Sequence, residues 1–455
     1  MTTYLRPLAL ALALASVALP PTVFAGVKEG VAAYDARDYA TALTELKPTA
    51  EQGDAKAQAY LGLMYAFGNG VPLDYEQALK WYRLAVEQDN PRAQNGLGYL
   101  YQYGKGVARD YREAVKWYER AADQKDPRAQ GNLGTMYYLG LGVPQDFKAA
   151  ARWYMKAAAQ GSTDAQFILG NLYRNGEGVT LDYFEAARWY RLAAEQDHAR
   201  AQHALGQLYR AGRGVAQDYE EALKWYRMAA NKADAGAQYS LAIAYFAGQG
   251  VPKSYPEAVQ WFTQSANQGY AAAQNQLGDM YLQADGVRKN DKEAAKWFEM
   301  AATQGHPEAQ YSLGTMYRKG TTATPANATE AVKWLRLSAD QGNLAARNTL
   351  GALYATGQGV PANRVVAYAL YMLSEGSTSM ADNRADWSRI LVDERLSAKE
   401  SVAAQNLSRE MARSKNLLVA MDRYIKETTP PPPPPKAESE VAPVQAPSPS
   451  ASAPQ

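Results

Sequence analysis

Tryptophan recurs along this chain of 455 residues at an almost constant spacing. The first seven regular tryptophans stand 36 residues apart, and the last step is 37 residues. They are Trp81, Trp117, Trp153, Trp189, Trp225, Trp261, Trp297 and Trp334. A period in this range is typical of stacked helical units, each of which buries its apolar face against its neighbours. The spacing therefore predicts a repeat architecture and favours binding over catalysis.

Each unit contains two helical patterns. Leu61 and Tyr65 lie four residues apart, and Ala78 precedes Trp81 and Tyr82 by three and four residues. Residues at these separations share one face of an α-helix. The unit therefore predicts two helices, which we call helix A and helix B.

Small and acidic residues predict how the two helices join and pack. Gly68 and Gly70 predict the end of helix A, because glycine adopts the left-handed conformation at little cost. Asp74 stands where it would cap helix B and favour the positive end of its dipole. We expect Gly62 to let two helix backbones approach closely and the ring of Trp81 to fill the space beside them.

This combination resembles the Sel-1-like repeat (SLR) family, which is related to the tetratricopeptide repeat. The resemblance rests on the period, the loop glycines, the Asp-Tyr pair at Asp74 and the Trp-Tyr pair at Trp81, and it covers residues 26–376. Two units depart, since Ala284 replaces the first loop glycine and the segment after Gly320 gains one residue. The resemblance implies an all-α, right-handed α-solenoid of about ten stacked helix pairs. It also implies binding of proteins or other ligands, without a shared catalytic chemistry.

The ends of the array are expected to be atypical, because their outer faces meet water. Residues 27–34 predict a short first helix A, and residues 364–373 predict the last helix B, with Tyr371 in place of Trp. Further helices at 382–396 and 398–415 are expected to cover the open end. We therefore predict a signal peptide (1–25), a repeat solenoid (26–376), C-terminal capping helices (377–427) and a disordered tail (428–455).

The N-terminal segment has the features of a secretory signal peptide. Arg6 supplies the positive start, residues 8–19 form an apolar run, and residues 23–25 fit the cleavage pattern that places the mature N-terminus at Gly26. The alternative is an uncleaved membrane anchor, although the run is short for crossing a bilayer. The sequence has no cysteine and hence no lipidation motif or disulfide. We expect an exported bacterial protein, periplasmic or secreted, with no stable membrane insertion after cleavage.

The C-terminal segment has a different composition. Residues 430–435 are an uninterrupted proline run, followed by Ala, Ser, Glu and more Pro. Such a segment cannot bury a core and predicts an extended or disordered chain. Two alternatives remain open: a solvated tail, or a segment that presents a proline ligand or reaches through an envelope mesh.

Composition and motifs argue against catalysis and nucleic-acid binding. The 48 basic and 46 acidic residues leave a net charge of +2 and no basic run interleaved with aromatics. We interpret His198, His203 and His306, the only histidines, as standing at unrelated repeat positions, and no nucleophile, metal or nucleotide motif accompanies them. The Gly-x-Gly-Val loops lack a preceding strand, which favours structural turns over phosphate-binding loops. We therefore predict no enzyme activity, no metal site and no cofactor.

Positions of helix A that vary between repeats predict the ligand-binding surface. The resemblance implies that helix A lines the concave face through residues two before the repeat Leu, two after it, and one after the repeat Tyr. The candidate groove residues are Tyr99, Tyr138, Phe167, Arg174, His203, Arg210, Tyr239, Phe246, Tyr311 and Arg318. Tyr, Phe and Arg supply anchors and directional hydrogen bonds in recognition surfaces. The alternative is that some of these rings only pack between helices.

Part of this set is expected to form one contiguous patch midway along the array. It comprises Phe167, Arg174, His203, Arg210, Tyr239 and Phe246. Rings with guanidinium groups suit an extended peptide that carries a carboxylate. We therefore expect an envelope scaffold that binds a protein segment along its concave face. The alternatives are binding of a cell-envelope glycan, with Tyr stacking on sugar rings, and a hydrolytic activity.

Overall fold

The structure is a computed structural model that describes residues 23–321, 324–374, 392, 395–414 and 416–428, with side chains from residue 26 onward. Within these residues the chain forms 22 α-helices and no strand, which confirms the all-α prediction. The proline-rich tail, nearly all of the signal peptide and most of the helix expected at 382–396 lie outside the described residues.

Twenty of the helices form ten consecutive pairs. The first members, helices A, are α1 (Val23–Asp35), α3 (Ala55–Phe67), α5 (Pro91–Tyr103), α7 (Pro127–Leu139), α9 (Thr163–Asn175), α11 (Ala199–Ala211), α13 (Ala235–Ala247), α15 (Ala271–Gln283), α17 (Pro307–Lys319) and α19 (Leu344–Thr356). The second members, helices B, are α2 (Tyr39–Glu51), α4 (Tyr75–Glu87), α6 (Tyr111–Asp123), α8 (Phe147–Ala159), α10 (Tyr183–Glu195), α12 (Tyr219–Asn231), α14 (Tyr255–Asn267), α16 (Asp291–Thr303), α18 (Ala328–Asp340) and α20 (Arg364–Ser374). Two further helices follow, α21 (Ala398–Arg413) and α22 (Leu417–Thr428).

The chain divides into two compact units, Met1–Ser265 and Ala266–Gln455. Within each unit the helices pack mainly on those before and after them in sequence. Packing between nearest neighbours is the arrangement of an α-solenoid, in which no single core grows with chain length. This confirms the predicted stacking of helix pairs.

The predicted stop and cap residues act as expected. Gly68 ends α3 in the left-handed conformation, with φ 68° and ψ 30°, and its N–H donates to the carbonyl of Met64. The carboxylate of Asp74 accepts from the N–H groups of the second and third residues of α4, both at 3.0 Å. A Cβ on Gly178, a second loop glycine, would lie 2.0 Å from the carbonyl oxygen of Phe147. The loop therefore packs directly on the preceding helix B, as expected for a structural turn.

The ring that fills the space beside the small residues is tyrosine, and the expectation for tryptophan was wrong. Tyr82 is 1% exposed, whereas Trp81 is half-buried. A Cβ on Gly62 would lie 2.5 Å from the Tyr82 ring, and one on Gly96 would lie 2.4 Å from it. Tyr82 is thus wedged between its own helix A and the next one.

The tryptophan instead packs at the interface with the preceding helix pair. Trp117 packs against the cluster that contains Tyr82 and Leu97, and Trp189 packs against the cluster that contains Tyr154. The indole nitrogens of Trp117 and Trp189 are buried and have no hydrogen-bond partner among the described residues. We infer that the tryptophan ring contributes apolar surface that stabilises the contact between successive helix pairs.

Buried glutamines tie successive helices together. The side-chain amide of Gln166 in α9 donates to the carbonyl of Ala158 at 3.2 Å, and Gln196 donates to the side-chain oxygen of Gln166 at 2.8 Å. The same contacts recur in other repeats. The glutamine thereby adds a second hydrogen bond to a carbonyl at the end of the preceding helix B, which also accepts the backbone N–H of Gly161 at 3.0 Å.

Two of the three histidines share one repeat position, so their interpretation as unrelated was wrong. His198 and His306 are the N-cap residues of α11 and α17. Their Nδ1 atoms accept backbone N–H groups at 3.1 and 3.4 Å. Burial lowers the pKa of His306, against an opposing effect of Glu308. A neutral imidazole is what this acceptor role requires.

The C-terminal part differs from expectation in two places. Leu370 stands 36 residues after Trp334, so Tyr371 occupies the buried tyrosine position and does not replace Trp, as a Cβ on Gly351 would meet its ring at 2.8 Å. In addition, α22 was not predicted as a separate helix. It returns onto α18, where Arg336 donates to both carboxylate oxygens of Asp422 at 2.7 Å.

We expect Ala284→Gly to raise the free energy of unfolding by about 0.5–1 kcal/mol. Ala284 ends α15 with φ 66°, in the conformation that glycine adopts elsewhere in the array. The left-handed conformation costs an L-residue about 1–2 kcal/mol, which the greater freedom of unfolded glycine partly offsets. Chemical denaturation measures the change. Gly248→Ala, at the matching end of α13 with φ 72°, is the control and should destabilise by a similar amount.

Candidate ligand-binding groove

Two adjoining pockets lie along helices A of the first unit, and together we call them the groove. One, of about 660 Å³, lies near the C-terminal ends of α7 and α9 and extends to α11. The other, of about 540 Å³, lies near the N-terminal ends of α7, α9 and α11. The residues common to both are Thr135, Tyr154, Phe167, Ile168 and Arg200.

At one position of the groove, α7 lacks a side chain where α9 and α11 have large ones. Gly131 of α7 stands two residues before the repeat leucine, at the position that Phe167 occupies in α9 and His203 in α11. A Cβ on Gly131 would meet no atom within 4 Å. The missing side chain therefore leaves open space in the pocket near the N-terminal helix ends.

Four of the ten predicted site residues line the groove. They are Tyr138, Phe167, Arg174 and His203. Arg210, Tyr239 and Phe246 line neither pocket, so the structure brings together three of the six residues of the expected patch.

Phe167 serves both packing and the groove wall. Its ring stacks on His198 at 4.8 Å and lies 5.9 Å from the ring of Tyr190. It is nevertheless only half-buried and borders both pockets. A ligand would therefore meet an aromatic surface that is already held in place, which lowers the entropic cost of binding.

Polar groups surround the C-terminal end of the groove. The Tyr138 hydroxyl donates to Glu177 at 2.7 Å, and this hydrogen bond, with burial, raises the pKa of Tyr138. Asn175 donates to the other oxygen of Glu177 at 3.0 Å and accepts from the Arg174 Nε at 3.3 Å. These side chains present donors and acceptors around the apolar surface of Phe167.

His203 contacts Ser240 and Asp234 in the order of a catalytic triad. Its Nε2 lies 2.9 Å from the Ser240 hydroxyl, and its Nδ1 lies 3.4 Å from Asp234. However, the same Asp234 oxygen caps α13 at 2.7 Å. Asn132 also donates to Asn95 at 2.8 Å between the same two repeat positions. We therefore interpret the contact as a structural bridge between helices A, with burial lowering the pKa of His203.

The aromatic residues beyond the groove mostly pack between helices. Tyr239 and Phe246 lie 5.6 and 6.5 Å from the ring of Phe262, and Phe246 lies 5.2 Å from Tyr255. These contacts agree with the alternative that such rings only pack between helices. Arg210 is exposed on α11.

A separate aromatic surface lies on α3 and α5. The ring of Tyr99 lies 5.3 Å from Phe67 and 4.8 Å from Tyr103. Phe67 and Tyr103 are 49% and 54% exposed, which leaves ring faces open to solvent. In the second unit, Tyr311 packs against the C-terminal apolar cluster and Arg318 is exposed.

Comparison with known proteins identifies the repeat. Nine consecutive segments match the family described as Sel1 repeat, at residues 55–90, 91–126, 127–162, 163–198, 199–234, 235–270, 271–306, 307–343 and 345–373. The chain belongs to the Sel1 repeat family. The Sel1 repeats thus correspond to nine of the ten helix pairs, and the first pair lies outside them.

Solved structures agree with this assignment. The chain is similar to a protective antigen present in uropathogenic Escherichia coli strains, which displays an SLR fold, with 30% identity and a TM-score of 0.56 over 87% of this chain and 99% of that one. It is also similar to a Sel1 repeat protein from Oxalobacter formigenes, with 36% identity and a TM-score of 0.50 over 54% of this chain and 96% of that one. No curated protein matches the chain.

The described residues add two negative observations. No group of three or more His, Asp or Glu side chains among them could hold a metal ion. No helix within the described part of the chain is long and apolar enough to cross a membrane.

Sequence reasoning missed one class of groove residue in the Sel1 repeats. Arg128 and Arg200 line the pocket near the N-terminal helix ends, but they occupy the second position of helix A, which was not among the transferred positions. Basic residues separated by one or two periods of 36 residues, at Arg92, Arg128 and Arg200, were the pattern that could have revealed them.

Proposed function

We propose that the protein is a non-enzymatic interaction scaffold of the bacterial cell envelope and binds a protein segment in the groove. The observation that carries this proposal is the opening at Gly131, where apolar walls from Phe167 and Ile168 meet several polar side chains. A concave site with apolar walls and a few placed polar groups is the usual form of a recognition site. The repeat family supports binding over catalysis.

Location in the envelope is supported by the sequence. Residues 1–25 have the features of a signal peptide. The similar Escherichia coli protein is described as a protective antigen, which fits an exported product. Export would be tested by cell fractionation and N-terminal sequencing of the mature chain, for which we expect Gly26 as the first residue.

Glycan binding is the second candidate function, and the exposed aromatic surface on α3 and α5 supports it. Phe67 and Tyr103 expose ring faces beside Tyr99, and open aromatic faces can stack on apolar sugar faces. This surface is distinct from the groove lining, so variants can separate the two candidates. Sedimentation with peptidoglycan should depend on Tyr99 and Tyr103 if the glycan candidate holds.

We expect Gly131→Tyr to abolish capture of the partner while leaving the fold intact. The tyrosine side chain would occupy the open space at Gly131 and exclude a ligand. The fold should gain only about 0.3–0.5 kcal/mol, because tyrosine is a better helix former than glycine but a poorer one than alanine. The measurement is capture from envelope extract, followed by titration of the captured protein.

Gly131→Ala is the matched control. It gives a larger gain in helix propensity, about 0.5–1 kcal/mol, but leaves most of the opening free, so binding should persist. A protein retained equally by the wild type and by both variants would not bind in this groove. Such a result would contradict the proposed function at this site.

A further inference from the structure

Basic residues recur at one position of helices A in the first unit. This is the second helical residue, N2, which follows the N-cap by two positions. The basic residues at N2 are Lys56 of α3, Arg92 of α5, Arg128 of α7 and Arg200 of α11. The intervening helix α9 carries Asp164 there. We call these five residues the N2 row.

Helix energetics does not explain the basic residues of the N2 row. The positive end of the helix dipole disfavours cations in the first turn and favours anions. Helices B of the same unit follow this rule, with acidic residues in the first turn of α4, α6, α10 and α12. The basic residues of helices A therefore oppose the local electrostatics and call for another explanation.

Three of the five residues of the N2 row line the groove, namely Arg128, Asp164 and Arg200. The Arg92 guanidinium lies 4.2 Å from the ring centroid of Tyr60. The row cannot continue into α13 unchanged, because a Cβ at Gly236 would lie 2.6 Å from Cε1 of His203.

Two arginines of the N2 row are available to bind a ligand. Arg128 and Arg200 are exposed and have no hydrogen-bond or ion-pair partner among the described residues. Asp164 is also largely exposed, with 90% of its side chain accessible, and lies 3.4 Å from the His198 ring nitrogen. The row thus presents single charges of defined sign and order.

We propose that the N2 row binds an acidic peptide segment whose carboxylates pair with the arginines. The proposal rests on the proposed function and specifies the chemistry of the partner. Arginine binds a carboxylate through two parallel hydrogen bonds. A nucleic acid fits less well, because Asp164 and Glu177 place negative charge in the same groove and would repel a continuous phosphate backbone.

The repeat spacing sets the expected charge pattern of the peptide. Side chains of neighbouring helices A contact each other, as those of His203 and Ser240 do at 2.9 Å, and helices in such contact lie about 8–10 Å apart. An extended peptide advances about 3.3 Å per residue. About three peptide residues therefore span the distance between neighbouring helices A. Carboxylates at every third residue would face Lys56, Arg92 and Arg128, a basic residue would face Asp164, and another carboxylate would face Arg200.

The test uses the full chain and a synthetic peptide of 13 residues. The peptide carries Asp at positions 1, 4, 7 and 13 and Lys at position 10, with alternating Leu and Ser elsewhere. A second peptide has the reversed sequence, and a third has the same composition with the charges contiguous. Fluorescence anisotropy at low and physiological salt measures binding. We expect the spaced peptide, in one direction, to bind at least tenfold more tightly than the contiguous one, with affinity that falls as salt rises.

The first variant removes charge from the row. It combines three substitutions, Arg92→Gln, Arg128→Gln and Arg200→Gln. We expect this triple variant to bind the peptide at least tenfold more weakly. The melting temperature should stay the same or rise, because cations leave three helix N-termini. The matched control has the same charge change on exposed residues of helices B, with Arg83→Gln, Arg152→Gln and Arg227→Gln, and should bind like the wild type.

The second variant tests the order of charges. Asp164→Lys should reverse the preference at peptide position 10 from Lys to Asp. Equal binding of spaced and contiguous peptides, or wild-type affinity in the triple variant of the row, would overturn the proposal. Tighter binding of polygalacturonate or of single-stranded DNA than of the spaced peptide would also overturn it and assign the row to an acidic glycan or a nucleic acid.

The captured partner separates this proposal from the proposed function. If Gly131→Tyr abolishes capture but the triple variant of the row does not, the groove binds a protein without using the row. That outcome would overturn the acidic-segment inference and leave the proposed function standing. If the peptide binds as expected but no envelope protein depends on Gly131, the row is confirmed and the proposed function fails.

Discussion

Replacing Tyr118 by alanine is expected to lower the free energy of unfolding by about 3–5 kcal/mol, the range for truncating a buried aromatic side chain. Tyr118 is fully buried. A Cβ on Gly98 would lie 2.5 Å from its ring, so the ring fills the space that the glycine leaves. Its hydroxyl donates to the side-chain oxygen of Gln102 at 2.6 Å. The change would therefore open a cavity and leave a buried acceptor without its donor.

Two comparisons make this prediction specific. Tyr118→Phe keeps the ring and should cost only about 1 kcal/mol, the usual net value of a hydrogen bond. Trp153→Ala should cost less than Tyr118→Ala, within the common range of about 0.5–3 kcal/mol, because the indole is half-buried. Chemical denaturation of the three variants measures the order. A larger loss for Trp153→Ala would show that the tryptophan, not the tyrosine, dominates repeat packing.

Asp279→Asn is expected to raise the free energy of unfolding by about 2 kcal/mol at pH 7. Burial raises the pKa of Asp279 to about 6, although Asn275 donates a hydrogen bond to it at 3.3 Å. One pKa unit corresponds to about 1.4 kcal/mol. Solvent screens the partly exposed carboxylate, which lowers the cost of its charge to about 2 kcal/mol. A neutral amide of the same shape would avoid the cost of a buried charge.

The pH dependence gives the sign of this effect. The pKa of Asp279 in the folded state lies above its ordinary value of 3.8, so the folded state holds the proton more tightly. The charged carboxylate therefore costs stability progressively as pH rises from about 4 to about 6, and the cost is constant above that range. The advantage of Asp279→Asn should be absent near pH 3.5 and complete at pH 7.

A matched control for Asp279 is available on the surface. Glu299→Gln removes one carboxylate from an exposed position of α16 and should change stability by less than about 0.5 kcal/mol at either pH. Thermal or urea unfolding at the two pH values measures all three proteins. A loss of stability in Asp279→Asn at pH 7 would mean that the carboxylate has an attractive partner that burial alone does not reveal.

The groove shows how far repeat position predicts which residues line a pocket. Tyr138, Phe167, Arg174 and His203 were selected by position and do line it, while Tyr239 stands at the same repeat position as Phe167 and does not. The difference arises from the neighbouring helices, since Gly131 leaves an open space beside Phe167 and Tyr239 packs near Phe262. Equivalent positions within a repeat therefore do not predict equivalent exposure.

The helix pairs and their connections were determined by the sequence itself, because each depends on residues close together in the chain. The spacing of Leu61, Tyr65 and Tyr82 defines the helical faces, Gly68 ends a helix by its own conformation, and Asp74 caps the N–H groups that directly follow it. These interactions are local and recur with every period, so the pattern alone was sufficient to predict them.

Only the tertiary structure decided which ring is buried, where the groove opens and which residues face it. Trp81 recurs more regularly than Tyr82, whose position holds Phe262 and Phe298 in later repeats. Nevertheless it is Tyr82 that lies between Gly62 and Gly96, which belong to different repeats. The opening at Gly131 likewise depends on its neighbours in other repeats. Such choices depend on distances between side chains of different helices, and spacing along the chain does not contain those distances.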